Sequence, residues 1–177
     1  PTEEAGTLIP VENWDGRTKW AVLFGQGGVA SSTLQITQVF ATVANGGEYI
    51  APHLVKGFTS PDGELTPRDP VERTQVISPE TAADLLLMLE SAVDEGTGGQ
   101  AQIPGYRVAG KTGTAQAADE NGQMTKIVSS FVGVVPADNP RLAVGVVVFD
   151  PKAATYGGAV AGPVFKEVSA YALQALG

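Results

Sequence analysis

The chain of 177 residues contains no cysteine and a single histidine, His53. Without cysteine there can be no disulfide, thiolate zinc site or cysteine nucleophile, and one histidine excludes a multi-histidine metal centre. Basic residues are also scarce, with 11 Lys and Arg against 19 Asp and Glu, and the net charge of −8 argues against a nucleic-acid partner. No apolar run approaches the roughly 18 residues that cross a bilayer. The composition therefore argues against thiolate and multi-histidine metal sites, a nucleic-acid partner and a membrane span in this chain.

The residues that are present predict a folded domain. Apolar residues make up 43% of the chain and charged residues 17%, which is enough to form a core. The length allows about one domain. The first residues, Pro1-Thr2-Glu3-Glu4, lack an initiator methionine and are unlike a signal peptide. We therefore expect the chain to be processed or excised from a longer one.

Periodicity and capping signals predict three helices and three strands. Ser78 and Pro79 form a strong helix start ahead of an apolar stripe. In the last helix we expect Val164, Val168 and Tyr171 to lie on one side. The first 20 residues and residues 59–73 are expected to be loops. The helices are predicted at 33–45, 78–94 and 163–176, and the strands at 106–114, 127–135 and 141–149. This order predicts an α+β fold in which an antiparallel sheet of three strands is covered by helices.

One segment matches a nucleotide-binding motif. Residues 105–112, Gly-Tyr-Arg-Val-Ala-Gly-Lys-Thr, fit the G-x-x-x-x-G-K-[ST] phosphate loop, and residues 146–150 resemble the strand that ends in a magnesium-binding Asp. A phosphate loop requires a buried strand before Gly105 and a helix that begins at Lys111. Neither is predicted here, because the strand falls inside the supposed loop. A nucleotide hydrolase is therefore the weaker interpretation.

The same lysine has a second interpretation, as part of a strand that ends in Lys111-Thr112-Gly113-Thr114. The lysine supplies a positive charge, and the threonine hydroxyls can donate hydrogen bonds to an anionic ligand. Glycine lets a ligand approach the backbone, and the N–H beyond it can stabilise an oxyanion. Such a strand end can bind an extended peptide by strand addition. A solvated lysine ahead of a glycine turn is the plainer alternative.

The context of this motif resembles the transpeptidase domain of class B penicillin-binding proteins, in which a K-T-G element accompanies S-x-x-K and S-D-N motifs. Two departures are present: Thr33 stands where the family often has proline, and only Tyr156 precedes the pair Gly157-Gly158, where some relatives have two aromatics. The matching segments, in chain order, are Phe24–Gly27 with Ser32–Gln35, Ala44–Gly47 with Pro52, Gly105–Gln116, Phe149–Pro151 with Tyr156–Gly158, and Ala161–Phe165.

The resemblance implies a penicillin-binding transpeptidase or serine β-lactamase-like fold, incomplete in this chain. It also implies a peptidoglycan D,D-transpeptidase that cross-links stem peptides through an acyl-serine and is acylated by β-lactams. Lys111 and Thr114 are the expected catalytic residues. Thr112, Gly113, Thr114 and Tyr156 are expected to bind substrate. No metal or other cofactor is implied.

The nucleophile itself is absent from the sequence. No Ser or Thr has Lys three positions on, and no Ser has Asn two positions on. The resemblance therefore implies that the S-x-x-K and S-x-N motifs lie on a missing N-terminal half, which also carries an anchor at the outer face of the cytoplasmic membrane. Other cell-wall synthesis proteins are possible partners. The alternative is a non-catalytic scaffold of the same fold that binds partners.

Overall fold

A computed structural model describes residues 5–177, so the expectation about Pro1–Glu4 lies outside the described residues. The four α-helices are α1 (Gly16–Val22), α2 (Thr33–Ala44), α3 (Pro79–Asp94) and α4 (Gly157–Leu176). The nine strands of the described part are β1 (Thr7–Leu8), β2 (Val29–Ala30), β3 (Glu48–Ile50), β4 (Gly57–Thr59), β5 (Leu65–Pro67), β6 (Arg73–Gln75), β7 (Ala109–Ala117), β8 (Lys126–Val135) and β9 (Leu142–Phe149).

Strands β7, β8 and β9 form one antiparallel sheet in that order. Their register pairs Thr112 with Phe131, and Phe131 with Val146. The remaining strands form three two-stranded ribbons, β1 with β2, β3 with β6 and β4 with β5. The architecture confirms the predicted α+β class, with the three long strands in one antiparallel sheet.

Helices cover both faces of this sheet. On one face α4 packs against β8, where the rings of Phe165 and Phe131 have centroids 4.7 Å apart and planes tilted by 57°, an arrangement typical of buried aromatic pairs. On the other face α2 crosses β9, and a Cβ at Gly145 would overlap Thr37 Oγ1. Val93 of α3 is buried in the same core as the Phe131–Phe165 pair. The sheet is therefore held between helices, with β7 at one edge.

Local capping explains where two of the helices begin. Ser32 Oγ accepts from the N–H of Gln35, and the Gln35 side chain accepts from the N–H of Ser32, which completes a capping box. Ser78 Oγ accepts from Thr81 N at 3.1 Å, with Pro79 at the first helical position. Both helices begin within one residue of the positions expected from the sequence.

Strand β7 and helix α4 differ from their predicted bounds. The strand expected at 106–114 runs over Ala109–Ala117, because residues 103–106 form a turn in which Gly105 has φ +86°. The last helix begins at Gly157 and contains Pro163, where the sequence predicted its start. The side of that helix on which the sequence groups Val164, Val168 and Tyr171 is exposed. The buried residues of α4 are Gly157, Gly158, Ala161, Gly162, Phe165, Ser169 and Leu173.

The segments expected to be loops contain short regular elements. Helix α1 lies within the first 22 residues and begins because the Asp15 side chain accepts from Thr18 N at 2.7 Å. Residues 59–73 are not all loop, because β5 pairs with β4, and β6 begins at Arg73 and pairs with β3. Across residues 5–177, no helix combines the length and hydropathy needed to cross a membrane.

Candidate active site

Strand β7 carries the motif at the edge of the sheet. Among the described residues its one strand partner is β8, so its outer side has no neighbouring strand. Side chains alternate along a strand. Thr112 and Thr114 lie on the face of the sheet that the start of α4 approaches. Lys111 and Gly113 belong to the opposite face. In an antiparallel edge strand every second residue turns its N–H and C=O outward. The edge can therefore offer backbone hydrogen bonds beside these side chains.

A chain of hydrogen bonds joins the lysine to two threonines. The Lys111 ammonium donates to Thr112 O at 3.2 Å and to Thr112 Oγ1 at 3.3 Å. Thr112 Oγ1 in turn lies 2.8 Å from Thr97 Oγ1. Thr97 belongs to the glycine-rich segment after α3. It is a site residue that sequence reasoning missed, and no local pattern pointed to it.

Thr114 is bound to the first turn of α4. Its Oγ1 accepts from the N–H of Gly157 at 3.2 Å, one of the helix-start donors that have no partner within the helix. Tyr156 occupies the N-cap position of α4, but its side chain makes no capping hydrogen bond. The Thr114 hydroxyl on β7 accepts this hydrogen bond instead. Because the hydroxyl oxygen accepts here, its proton can point toward a ligand.

Glycines allow the helix to approach the strand this closely. A Cβ at Gly157 would overlap the carbonyl oxygens of Gly113 and Ser130, and a Cβ at Gly158 would overlap Thr97 O. Gly113 is itself restricted, since a Cβ there would overlap Ser130 Oγ on the neighbouring strand. Rotation of the Ser130 hydroxyl can relieve this overlap, so packing alone does not require glycine at 113. Its expected role in letting substrate approach the backbone stays a prediction.

These residues line one open cleft of about 660 Å³. Tyr156 stands at the cleft with 75% of its surface exposed, and the preceding residue is held in place because Ser129 Oγ donates to Thr155 O at 2.5 Å. Of the residues expected from the sequence, four line the cleft, while Gly113 lies in the strand between them. The complete lining is Gly96, Thr97, Gly99, Gln100, Lys111, Thr112, Thr114, Tyr156, Gly157, Gly158 and Ala159.

The structure argues against the phosphate-loop interpretation of Lys111. Strand β7 continues through Lys111 and Thr112 to Ala117, and Lys111 pairs with Val132 of β8. A phosphate loop would need a helix that begins at this lysine, with free N–H groups at its first turn. Asp150, the residue compared with a magnesium ligand, accepts a hydrogen bond from Lys152 at 2.6 Å.

A bidentate ion pair fixes α3 to the segment that leads into β7. Arg107 Nε donates to Glu90 Oε1 at 2.5 Å and Arg107 Nη2 donates to Glu90 Oε2 at 2.6 Å. These hydrogen bonds hold the pKa of the Glu90 carboxyl below its usual range, against the effect of partial burial, and they raise the pKa of Arg107. The Glu90 side chain is 13% exposed and that of Arg107 is 54% exposed.

Comparison with known proteins assigns this chain to a family. The family model described as the penicillin binding protein transpeptidase domain matches residues 1–170. The chain is 38% identical to penicillin-binding protein PbpB of Mycolicibacterium smegmatis over 186 residues, covering 98% of this chain and 28% of that protein. It is 35% identical to peptidoglycan D,D-transpeptidase FtsI of Escherichia coli over 166 residues, covering 92% and 26% respectively.

A solved structure agrees with these relatives in fold. Penicillin binding protein 3 of Mycobacterium tuberculosis, complexed with aztreonam, superposes with a TM-score of 0.86 at 33% identity, covering 98% of this chain and 41% of that one. The chain thus spans between about a quarter and two fifths of the length of these three proteins. The family model matches nearly the whole length of this chain, which therefore belongs to the penicillin binding protein transpeptidase domain family.

Proposed function

We propose that this chain supplies the Lys-Thr-Gly strand of a peptidoglycan D,D-transpeptidase that works through an acyl-serine and is acylated by β-lactams. The observation that carries the proposal is the cleft in which one ammonium and two threonine hydroxyls meet at an open strand edge. The name of the Escherichia coli relative and the aztreonam complex of the mycobacterial structure support the same reaction and the same inhibitors.

Each cleft residue has a role that follows from its chemistry. Lys111 favours negative charge at the strand edge and assists proton transfer with the serine. Thr112 and Thr114 donate hydroxyl hydrogen bonds to the terminal carboxylate of the stem peptide, and the Thr114 N–H completes the oxyanion hole. Gly113 lets the substrate backbone lie against the strand, and Tyr156 borders the bound peptide.

The serine belongs to a segment N-terminal to this chain, which carries S-x-x-K and S-x-N. Its oxygen attacks the penultimate D-Ala carbonyl of a donor stem peptide, and the terminal D-Ala leaves as the C–N bond breaks. The amine of an acceptor peptide then attacks the ester, forms the cross-link and releases the serine. The reaction takes place at the outer face of the cytoplasmic membrane, with the anchor on the N-terminal part and other cell-wall synthesis proteins as partners.

A fluorescent penicillin tests this proposal. The gene product that contains this chain should be labelled at one serine outside residues 1–177, as located by mass spectrometry. The 177-residue chain by itself should take up no label, because no S-x-x-K serine is present. Labelling of a unique serine within the 177 residues would refute the placement of the nucleophile. A folded gene product that takes up no label would favour the scaffold alternative.

A further inference from the structure

Helix α3 and the segment after it contact β7 and the segment before it at two separate points. One is the two-pronged ion pair between Glu90 and Arg107, just before β7 begins. The other is the 2.8 Å hydrogen bond between Thr97 Oγ1 and Thr112 Oγ1 inside the cleft. Only a few residues separate the two points on either side, because α3 ends at Asp94 and β7 begins at Ala109. The segment that carries Thr97 is held on the end of α3 because Gly98 N donates to Ala92 O at 3.1 Å, so a movement of α3 is passed on to Thr97.

Helix α3 makes both apolar contacts and an ion pair with the segment ahead of β7, and only the ion pair is directional. Val93 of α3 and Val108 ahead of β7 are buried in the core, and such apolar contact is non-directional. The planar guanidinium fork, by contrast, accepts one arrangement of a carboxylate. The ion pair can thus fix the position of α3 relative to β7, which the apolar contacts alone do not determine. An ion pair with one exposed partner adds little to the stability of a fold.

We propose that the Glu90–Arg107 ion pair is a positioning pair: it holds Thr97 against Thr112 and so orients the Thr112 hydroxyl toward the substrate carboxylate. Thr112 Oγ1 also accepts from Lys111 Nζ, so its remaining hydrogen-bond direction depends on where Thr97 lies. This inference rests on the proposed function, since the orientation of Thr112 matters only if an acyl donor binds there.

The test measures acylation by a penicillin in the complete gene product, with the saturation constant and the limiting rate determined separately. Because a displacement of about 1 Å can cost on the order of 100-fold in rate, we expect Arg107→Gln and Glu90→Gln each to slow acylation by roughly tenfold. Arg107→Lys keeps the charge without the fork and should recover only part of this loss. Arg73→Gln is the matched control, because it breaks an exposed ion pair between Arg73 and Glu48 on β6 and β3.

A double-mutant cycle shows whether the ion pair acts through Thr97. Thr97→Val removes the hydroxyl that the pair is proposed to hold. In that background Arg107→Gln should slow acylation by less than about twofold, because coupled residues are non-additive. If the two effects simply multiply, the ion pair does not act through Thr97 and the proposal is wrong. Acylation of Arg107→Gln at the wild-type rate would also overturn it.

A crystal structure of the Glu90→Gln or Arg107→Gln protein, whichever folds, tests the inference without acylation. We expect the Thr97–Thr112 hydroxyl contact to be lost, and a retained contact would refute the positioning role. This arm separates the two proposals. A wild-type protein that is not acylated contradicts the proposed function, whereas normal acylation with an intact hydroxyl contact in the variant contradicts only the positioning pair.

Discussion

In our proposal Thr114 combines a structural and a chemical task in one hydroxyl group. Its oxygen accepts a hydrogen bond from the Gly157 N–H, the first N–H of α4. This hydrogen bond limits the directions in which the hydroxyl proton can point. Thr112 is arranged in a similar way between Lys111 and Thr97. In both residues the surrounding hydrogen bonds orient the hydroxyl before a ligand arrives, which is how a binding site avoids reorganisation when substrate binds.

At the residue scale, Lys111→Ala in the complete gene product should slow penicillin acylation. Losing one preorganised electrostatic contact costs roughly 3–4 kcal/mol in the transition state, or about 10²–10³-fold in rate. Lys111 is exposed, so the melting temperature should change little. Stopped-flow acylation and thermal melting measure the two effects. Lys111→Arg should recover the rate only in part, because a planar fork does not replace a compact ammonium.

The matched control is Lys56→Ala, which removes another exposed lysine far along the chain from the cleft-lining residues. It should acylate at the wild-type rate. Unchanged acylation of Lys111→Ala would contradict the catalytic role assigned to this lysine.

At the scale of elements, the start of α4 is the feature that closes the cleft. Two consecutive glycines bring its first turn onto β7, so the helix N-terminus lies beside the threonines of the motif. The partial positive charge at the N-terminus of α4 favours a bound anion. The Lys111 ammonium on β7 favours a bound anion for the same electrostatic reason. Pro163 lies inside the helix but beyond this first turn, and the contact with β7 is made before it.

Gly157→Ala should displace the helix start and weaken the site. Its Cβ would overlap the carbonyl oxygens of Gly113 and Ser130, and forcing a methyl into a packed contact typically costs about 1–3 kcal/mol. The Thr114 cap should be lost at the same time, so we expect both lower stability in denaturant unfolding and slower acylation in the complete gene product.

The control substitution is Gly16→Ala. Gly16 is also the first residue of a helix, and no atom lies within 4 Å of the Cβ it would gain. Its unfolding free energy should stay the same or rise by up to about 1 kcal/mol. Equal stability and equal acylation of the Gly16→Ala and Gly157→Ala proteins would show that the glycine contact does not matter.

At the scale of the molecule, large apolar side chains lie exposed on several elements. Trp20, Leu23 and Phe24 in and after α1 are 71–77% exposed, and Leu87 and Met88 of α3 are more than half exposed. An apolar groove of about 450 Å³ also lies along α2, facing β3 and the segment that leads into α3. Exposed apolar residues that cluster usually mark an interface, and Trp20, Leu23 and Phe24 lie within five positions of one another in the chain. In our proposal these faces meet the N-terminal part that carries the nucleophile.

The isolated 177-residue chain should therefore associate with itself in solution. We expect size-exclusion chromatography with light scattering to detect oligomers that grow with concentration, and thermal melting to be broad. Replacing Trp20 and Phe24 by serine should reduce the association, because it removes two of the largest exposed apolar groups. A monomeric chain with a sharp two-state melt would contradict this prediction.

Local chemistry made much of this protein predictable from its sequence. Ser32 and Ser78 cap helices three residues ahead of the N–H groups they accept from, and β-branched runs predicted β8 and β9. The Lys-Thr-Gly motif, its extended backbone and the family were recognisable for the same reason, because each depends on residues adjacent in the chain. Four of the five predicted site residues line the cleft.

Tertiary structure alone decided the rest of the site. Thr97 meets Thr112 across 15 positions, and Gly157 meets Thr114 across 43. The start of α4 depends on contact with β7, so Pro163 misled the local prediction of that start. The buried face of α4 was equally hidden, since apolar residues lie on both of its sides and only the position of Phe131 selects Phe165. These contacts depend on how strands and helices pack, and no pattern of neighbouring residues encodes them.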